Sequence, residues 1–384
     1  MSYSSIDKIQ KVLAQSVFQH TLDKKKAAGR ALGTIVEIIT YYLIRQWNLS
    51  SDVTIELRLP EFGQTQITHN VEFGIHPCIY CQEYEIINPN ILPLTSKKLL
   101  KNSRDISEVL QDFDLIDNQI LSRELLQKNR CLIGRNINEN KLALCDLKSY
   151  SEQGAVVEIA ILKLHPFAIF ECKRVGIEEG AKKGPTTIEK AKQGAYVAKH
   201  ISSLQKIRSV DGKVFGALAK PDGNFEIQPY EKALNQMIYH APVTDLTNFI
   251  LTIGIASNHG NWFTSDNPNK ELLVLKNSYD WLLFLTDEGL AKFVKELILE
   301  PLPKFESVQK AFLASYDSPR SSKRINQFTK VRILRDAHLV LVNYFSKNIR
   351  QIESEWFNLL SPQNQPIITL QNQLQTLAQK EWYL

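Results

Sequence analysis

Cysteine is sparse in this 384-residue chain and irregularly spaced, at Cys78, Cys81, Cys131, Cys145 and Cys172. An odd number without a regular interval does not build a disulfide framework. Cys78 and Cys81 form one Cys-x-x-Cys, with His76 just ahead. A zinc site needs about four ligands, and no second pair follows. The segment 71–87 reads as extended, so its alternate residues face opposite sides. Buried structural thiols are therefore the better reading of Cys78 and Cys81. Long apolar runs are also lacking, because charges interrupt the richest stretches, and no membrane span is expected. The opening MSYSSIDKIQKVLAQ has no apolar core of a secretion leader, so a cytoplasmic protein is expected. No internal repeat or low-complexity tract stands out. Charge of one sign is only slightly in excess, at +5. Such a balance permits a polyanionic partner without requiring one.

A hydrophobic share of 43% is enough for a sizeable core. Residues 27–47 read as a helix apolar on most sides, with Gly33 and Glu37 one turn apart. Residues 53–59 alternate as a half-buried strand does, and 66–87 suggest further strands. Residues 94–128 have a charged, helical pattern. Three strand-like stretches follow, KLALCDLKSY, AVVEIAILKL and FAIFECKR, separated by Ser151–Gly154 and His165-Pro166. After the loop VGIEEGAKKGP, Thr186 and Glu189 form a capping box. Ile188, Ala191, Ala195, Ala198 and Ile201 make the apolar stripe of the helix it opens. NFILTIGIA suits a strand buried on both faces. ELLVLK and DWLLFLTD read as two more strands, and Asp287 as the cap of a helix reaching about Leu299. Residues 305–384 read as entirely helical.

Chemistry concentrates at Glu171-Cys172-Lys173. A second Glu-x-Lys, at Glu139 and Lys141, lies in a polar turn and reads as a solvated pair. In a strand, residues two apart share a face, so Glu171 and Lys173 point the same way beside Phe167 and Ile169. Charges near apolar neighbours are costly unless paired or bound to metal. Glu158 is the lone charge in Val156–Leu162. A two-residue turn at Leu164-His165 would set it directly opposite Glu171. Two facing carboxylates repel, and a hard cation such as Mg2+ prefers oxygen ligands of this kind. A turn centred on Glu152 would set Asp146 opposite Glu158, as a third acid. Either Glu158 or Asp146 can then be the partner of Glu171. The bland alternative is a surface ion pair at positions 171 and 173, worth little.

The run Glu158-Ile159-Ala160-Ile161, followed by Phe167-Ala168-Ile169-Phe170-Glu171-Cys172-Lys173, resembles the PD-(D/E)XK nuclease superfamily, especially type II restriction endonucleases. In that family an acid starts one strand and an acid-x-Lys lies on the next. A helix and another core strand follow. The resemblance covers about 50 to 60 residues and departs from the pattern where Asp after Pro is usual and Glu158 after Val stands here. It implies an α/β fold with a restriction-endonuclease-like core, Mg2+-dependent hydrolysis of DNA phosphodiester bonds, and a homodimer matching a palindromic site. Glu158, Glu171 and Lys173 would be catalytic. Glu158, Glu171 and Asp146 would hold the metal, with Glu37 as a supporting helix acid.

Contacts to double-stranded DNA are expected from Lys182 and Lys183, in the loop after the motif. The densest basic stretch should add to them with Arg320, Lys323, Arg324 and Asn326, because Lys and Arg neutralise phosphates and amides can read adenine. The expected organisation is 1–140 packing on a core at 141–300, with a helical region at 301–384. Two other functions fit the same residues: a repair or phage-defence nuclease acting on branched or single-stranded DNA, and a non-catalytic nucleic-acid-binding protein.

Overall fold

The computed structural model describes residues 6–19, 21–61, 64–174, 195, 198, 202–219, 223–257, 270–316 and 326–382. Eleven strands build the two larger sheets. In chain order they are β1 (Val53–Glu61), β2 (Gln64–Ile75), β3 (Cys78–Ile87), β4 (Asp114–Leu115), β5 (Cys131–Asn136), β6 (Lys141–Ser151), β7 (Gly154–Lys163), β8 (Ala168–Arg174), β9 (Leu251–Ser257), β10 (Trp281–Leu285) and β11 (Phe357–Ser361). The main sheet runs β1-β2-β8-β9-β10-β11 and the second runs β3-β7-β6-β5-β4. Two smaller sheets, of three and four short strands, complete a mixed α/β architecture.

The main sheet is antiparallel at one end and parallel in the middle. β8 pairs antiparallel with β2 and parallel with β9, and β9 pairs parallel with β10. All seven residues of β9 and all five of β10 are buried, which explains their continuous apolar sequence. Two helices precede β1 in the chain, α1 (Ile6–Ser16) and α2 (Lys24–Gln46). Asp23 caps α2 by accepting the Lys26 N–H at 3.0 Å. Twelve α2 residues are buried, and they surround the helix rather than form one stripe. Tyr41 of α2 stacks on Phe73 of β2, and Thr40 meets the Cys172 thiol of β8 at 3.2 Å. By length and composition α2 is apolar enough to cross a membrane, contrary to the expectation from the sequence, and 67% of that apolar window is buried inside the fold.

The second sheet is an insertion. Residues 78–163 leave the main sheet after β2 and return just before β8. This overturns the expected hairpin between β7 and β8. The Lys163 N–H donates to Pro77 O, the Leu164 N–H to Asn140 O and the Phe167 N–H to Ile75 O. His165-Pro166 therefore carries the chain from one sheet to the other, and Glu158 does not face Glu171. The other expected pairing, Glu158 opposite Asp146, is present, but through a register shift between Val156 and Val157; the turn itself pairs Ser151 with Gly154 and would set Leu147 opposite Glu158.

Other expectations change with the architecture. Residues 271–276 lie in a helix, Lys270–Ser278, not a strand. Thr286, not Asp287, caps the helix after β10. Residues 94–128 hold two short helices, Ser96–Asn102 and Arg104–Val109, and then short strands. The tail is not entirely helical, since it supplies Arg332–Leu334 and edge strand β11. A boundary at 140 cuts both larger sheets, because β2 pairs with β8 and β3 with β7. Ala195 and Ala198 are helical and buried, as the stripe required.

Candidate active site

Glu158 and Asp146 are where burial predicts a costly charge, but arginine and lysine neutralise them. Glu158 meets Lys148 Nζ at 2.6 Å, Arg130 Nη1 at 3.4 Å and the Ser51 hydroxyl at 3.3 Å. Asp146 is fully buried and bonds Arg45 Nη1 at 2.9 Å. Burial alone would raise the Asp146 pKa, yet Arg45, then Arg130 and His338, hold it below the usual carboxylate range. Arg130 also donates to the Val53 and Ser51 carbonyls. These groups tie α2 and the start of β1 to the second sheet. Neither acid reaches Glu171, which corrects both as its expected metal partner.

The acid that does reach Glu171 is Glu72. The β2–β8 ladder pairs Ala168 with Ile75, Ile169 with Gly74 and Phe170 with Phe73. One residue further in the same register, Glu171 stands across from Glu72. The ladder stops there, although both strands continue. One Glu72 oxygen accepts the Cys172 N–H at 2.6 Å and the other accepts from Lys330 Nζ at 2.6 Å. Lys330 also meets Glu37 of α2 at 3.1 Å and Glu56 of β1 at 3.4 Å. Lys173 lies two residues beyond Glu171 and is half-buried. Four elements thus aim acids at one place.

β1 bends its own backbone to contribute. Glu56 has φ +52° between the paired residues Ile55–Phe73 and Leu57–Val71. A non-glycine residue in the left-handed region costs about 1–3 kcal/mol and gathers at functional sites.

The electrostatics mark this cluster as under-compensated. Burial, and then the Glu72 carboxylate, push the Glu171 pKa up to about 8, against the pull of Lys330. Burial and Glu72 likewise push Glu37 up to about 7. Lys330 goes the other way. Burial favours its neutral form, but Glu72 and Glu37 hold it charged, above the ordinary lysine value. Once ionised, such oxygen donors are of the kind a hard cation takes. Among the described residues, no group of three or more His, Cys, Asp or Glu side chains stands preassembled around a metal position. The cation at the centre is the Lys330 ammonium.

Of the expected site residues, the structure brings together Glu37 and Glu171, places Lys173 two residues along the same strand as Glu171, and separates Glu158 and Asp146 from them. Lys182, Lys183, Arg320, Lys323 and Arg324 lie outside the described residues. Asn326 is exposed, four residues before Lys330. Sequence reasoning misses Glu72 and Glu56, and reads Lys330 only as one member of the basic stretch expected to meet DNA. Glu72 carried the signal that had selected Glu158, a lone acid in an apolar run, Val71-Glu72-Phe73-Gly74-Ile75. Cys78 and Cys81 are free thiols, half-buried and exposed respectively. No family model matches the chain, and neither a curated protein nor a solved structure matches it.

Proposed function

We propose that this chain is a Mg2+-dependent DNA endonuclease with a restriction-endonuclease-like core of the PD-(D/E)XK kind, cutting double-stranded DNA at specific sites. One observation carries the reading. Glu72 and Glu171-x-Lys173 lie on adjacent antiparallel strands, facing each other where their ladder ends. The order helix, strand, acid-bearing strand, acid-x-Lys strand and parallel strand (α2, β1, β2, β8, β9) supports it, once residues 78–163 are set aside as an insertion. Glu72 takes the place first given to Glu158, and Glu37 supplies the helix acid.

The residues fit Mg2+ by their donors. Glu72, Glu171 and Glu37 offer carboxylate oxygens, and because burial raises the pKa of Glu171 and Glu37, their protons would be released on metal binding there. When bound, Mg2+ supplies Lewis-acid polarisation of the phosphate and acidifies water. Glu72 and Glu171 fix the position of the reacting phosphate between β2 and β8. Lys173 lies on the Glu171 face of β8, where its ammonium donates to the attacking water or to the phosphate oxygen that gains charge. A two-fold dimer would offer one such centre to each strand of a palindrome.

The test is cleavage of phage DNA with Mg2+ by the wild type, Glu72→Gln, Glu171→Gln and Lys173→Ala. Discrete fragments from the wild type are expected, with each substitution lowering the rate by roughly 10²-fold or more while DNA binding persists. Nicking confined to branched or single-stranded substrates would reassign the chain to structure-dependent repair or defence. Equal behaviour of all four proteins would leave only nucleic-acid binding.

A further inference from the structure

Lys330 is the cation at the centre of the acid cluster, and the fold holds it firmly. Its carbonyl accepts from the Asn129 amide at 2.9 Å, and the next carbonyl, Val331, accepts the Asn129 N–H at 2.8 Å. Thr329 and Arg332 close a tight turn around it, through the Thr329 N–H to Arg332 O and the Arg332 N–H to the Thr329 hydroxyl, both at 2.9 Å. Behind Asn129 stand Gln127, whose amide donates to Asn129 at 3.1 Å, and Arg335, which donates to Gln127 at 2.7 Å. The backbone is thus pinned from the small sheet that pairs Arg332–Leu334 with Leu126–Lys128. From that anchor the ammonium, 7% exposed, lies 2.6, 3.1 and 3.4 Å from Glu72, Glu37 and Glu56. An ammonium has three N–H donors, and three carboxylates surround this one. Glu171 is left as the acid that Lys330 does not touch.

The charges add a second constraint. Among the described residues, fully ionised Glu37, Glu56, Glu72 and Glu171 stand against Lys330 and, two residues along the strand from Glu171, Lys173. Two negative charges remain, which is the charge of one divalent ion. Without Lys330 a third negative charge is exposed and another cation is needed.

We propose that Lys330 is the protein's own occupant of one cation position, a positioning residue that limits the centre to a single divalent ion held against Glu171 and Glu72. Centres with several carboxylates in other enzymes hold two ions about 3.5–4 Å apart; here a fixed ammonium does the work of the second. This rests on the metal-site reading above. The test titrates Mn2+ into DNA-free protein and follows free Mn2+ by electron paramagnetic resonance. The wild type and Lys330→Arg are expected to bind one ion per chain. Lys330→Met is expected to bind two, the first at least tenfold tighter. A Lys330→Met chain that melts early but regains the wild-type Tm with Mn2+ supports the exchange of ammonium for metal. Early melting that Mn2+ leaves unchanged marks a purely structural cation and overturns the proposal. So does one ion of unchanged affinity in Lys330→Met and Lys330→Gln, or two ions in the wild type, although the metal site itself then stands. Absence of Mn2+ binding in every form overturns both readings.

Discussion

Replacing Glu171 by Gln should make the metal-free protein more stable at pH 8 and inactive. Glu171 is half-buried across from Glu72, and its pKa rises from 4.5 to about 8 because of burial and that neighbour. A folded-state pKa above the unfolded value means that the folded chain binds more protons between the two. Stability therefore falls as pH climbs from 4.5 to about 8. At about 1.36 kcal/mol per unit the full shift is worth roughly 5 kcal/mol, and water at the half-buried carboxylate brings the expected difference to about 2–4 kcal/mol. Gln is neutral at every pH and keeps the shape. Its advantage should thus be about 2–4 kcal/mol at pH 8 and near zero at pH 5. For a chain of this size that is a Tm gain of roughly 2–5 °C. The assay is thermal melting with EDTA at both pH values, for both proteins. An equal gain at pH 5 and pH 8, or no gain at pH 8, refutes the reasoning, because it would mean that the carboxylate is already compensated in the fold.

The same contacts set further outcomes. Asp146→Ala and Glu158→Ala should each destabilise the chain by about 2–4 kcal/mol, because each takes a carboxylate from an arginine that is buried (Arg130) or largely buried (Arg45); urea unfolding at pH 7 measures this, and a loss of activity without a loss of stability would contradict the structural role. Mg2+ should raise the wild-type Tm more at pH 8 than at pH 5.5, since protons occupy Glu171 and Glu37 at the lower value; a pH-independent shift would place the metal elsewhere. Asn129→Ala, which removes the side-chain amide donor to the Lys330 carbonyl without touching a carboxylate, should lower the cleavage rate roughly tenfold through misplacement of the ammonium. Steady-state rates against Tm separate that effect from simple unfolding.

Local pattern determined a good deal here. The alternation and apolar flanks of 167–174 place Glu171 and Lys173 on one face of a strand, and β8 has that form. The short turn after Ser151 was legible and puts Asp146 within one residue of facing Glu158, but the bulge between Val156 and Val157 that completes the pairing was not. The apolar surround of α2 announced a buried helix, and Glu37 on it reaches the site. What only the tertiary structure decided is which strand lies beside β8. An apolar strand advertises a face to bury, not a partner. β7 and β2 both carry a lone acid in an apolar run, and β7 is nearer in sequence. The short 164–166 link looks like a hairpin turn. It is a crossing between sheets, because residues 78–163 satisfy their own edges as β3-β7-β6-β5-β4 and leave β2 free for β8. Lys330 lies even further from local inference. It enters from the far end of the chain, and its ammonium gains meaning only from three carboxylates brought to it by α2, β1 and β2.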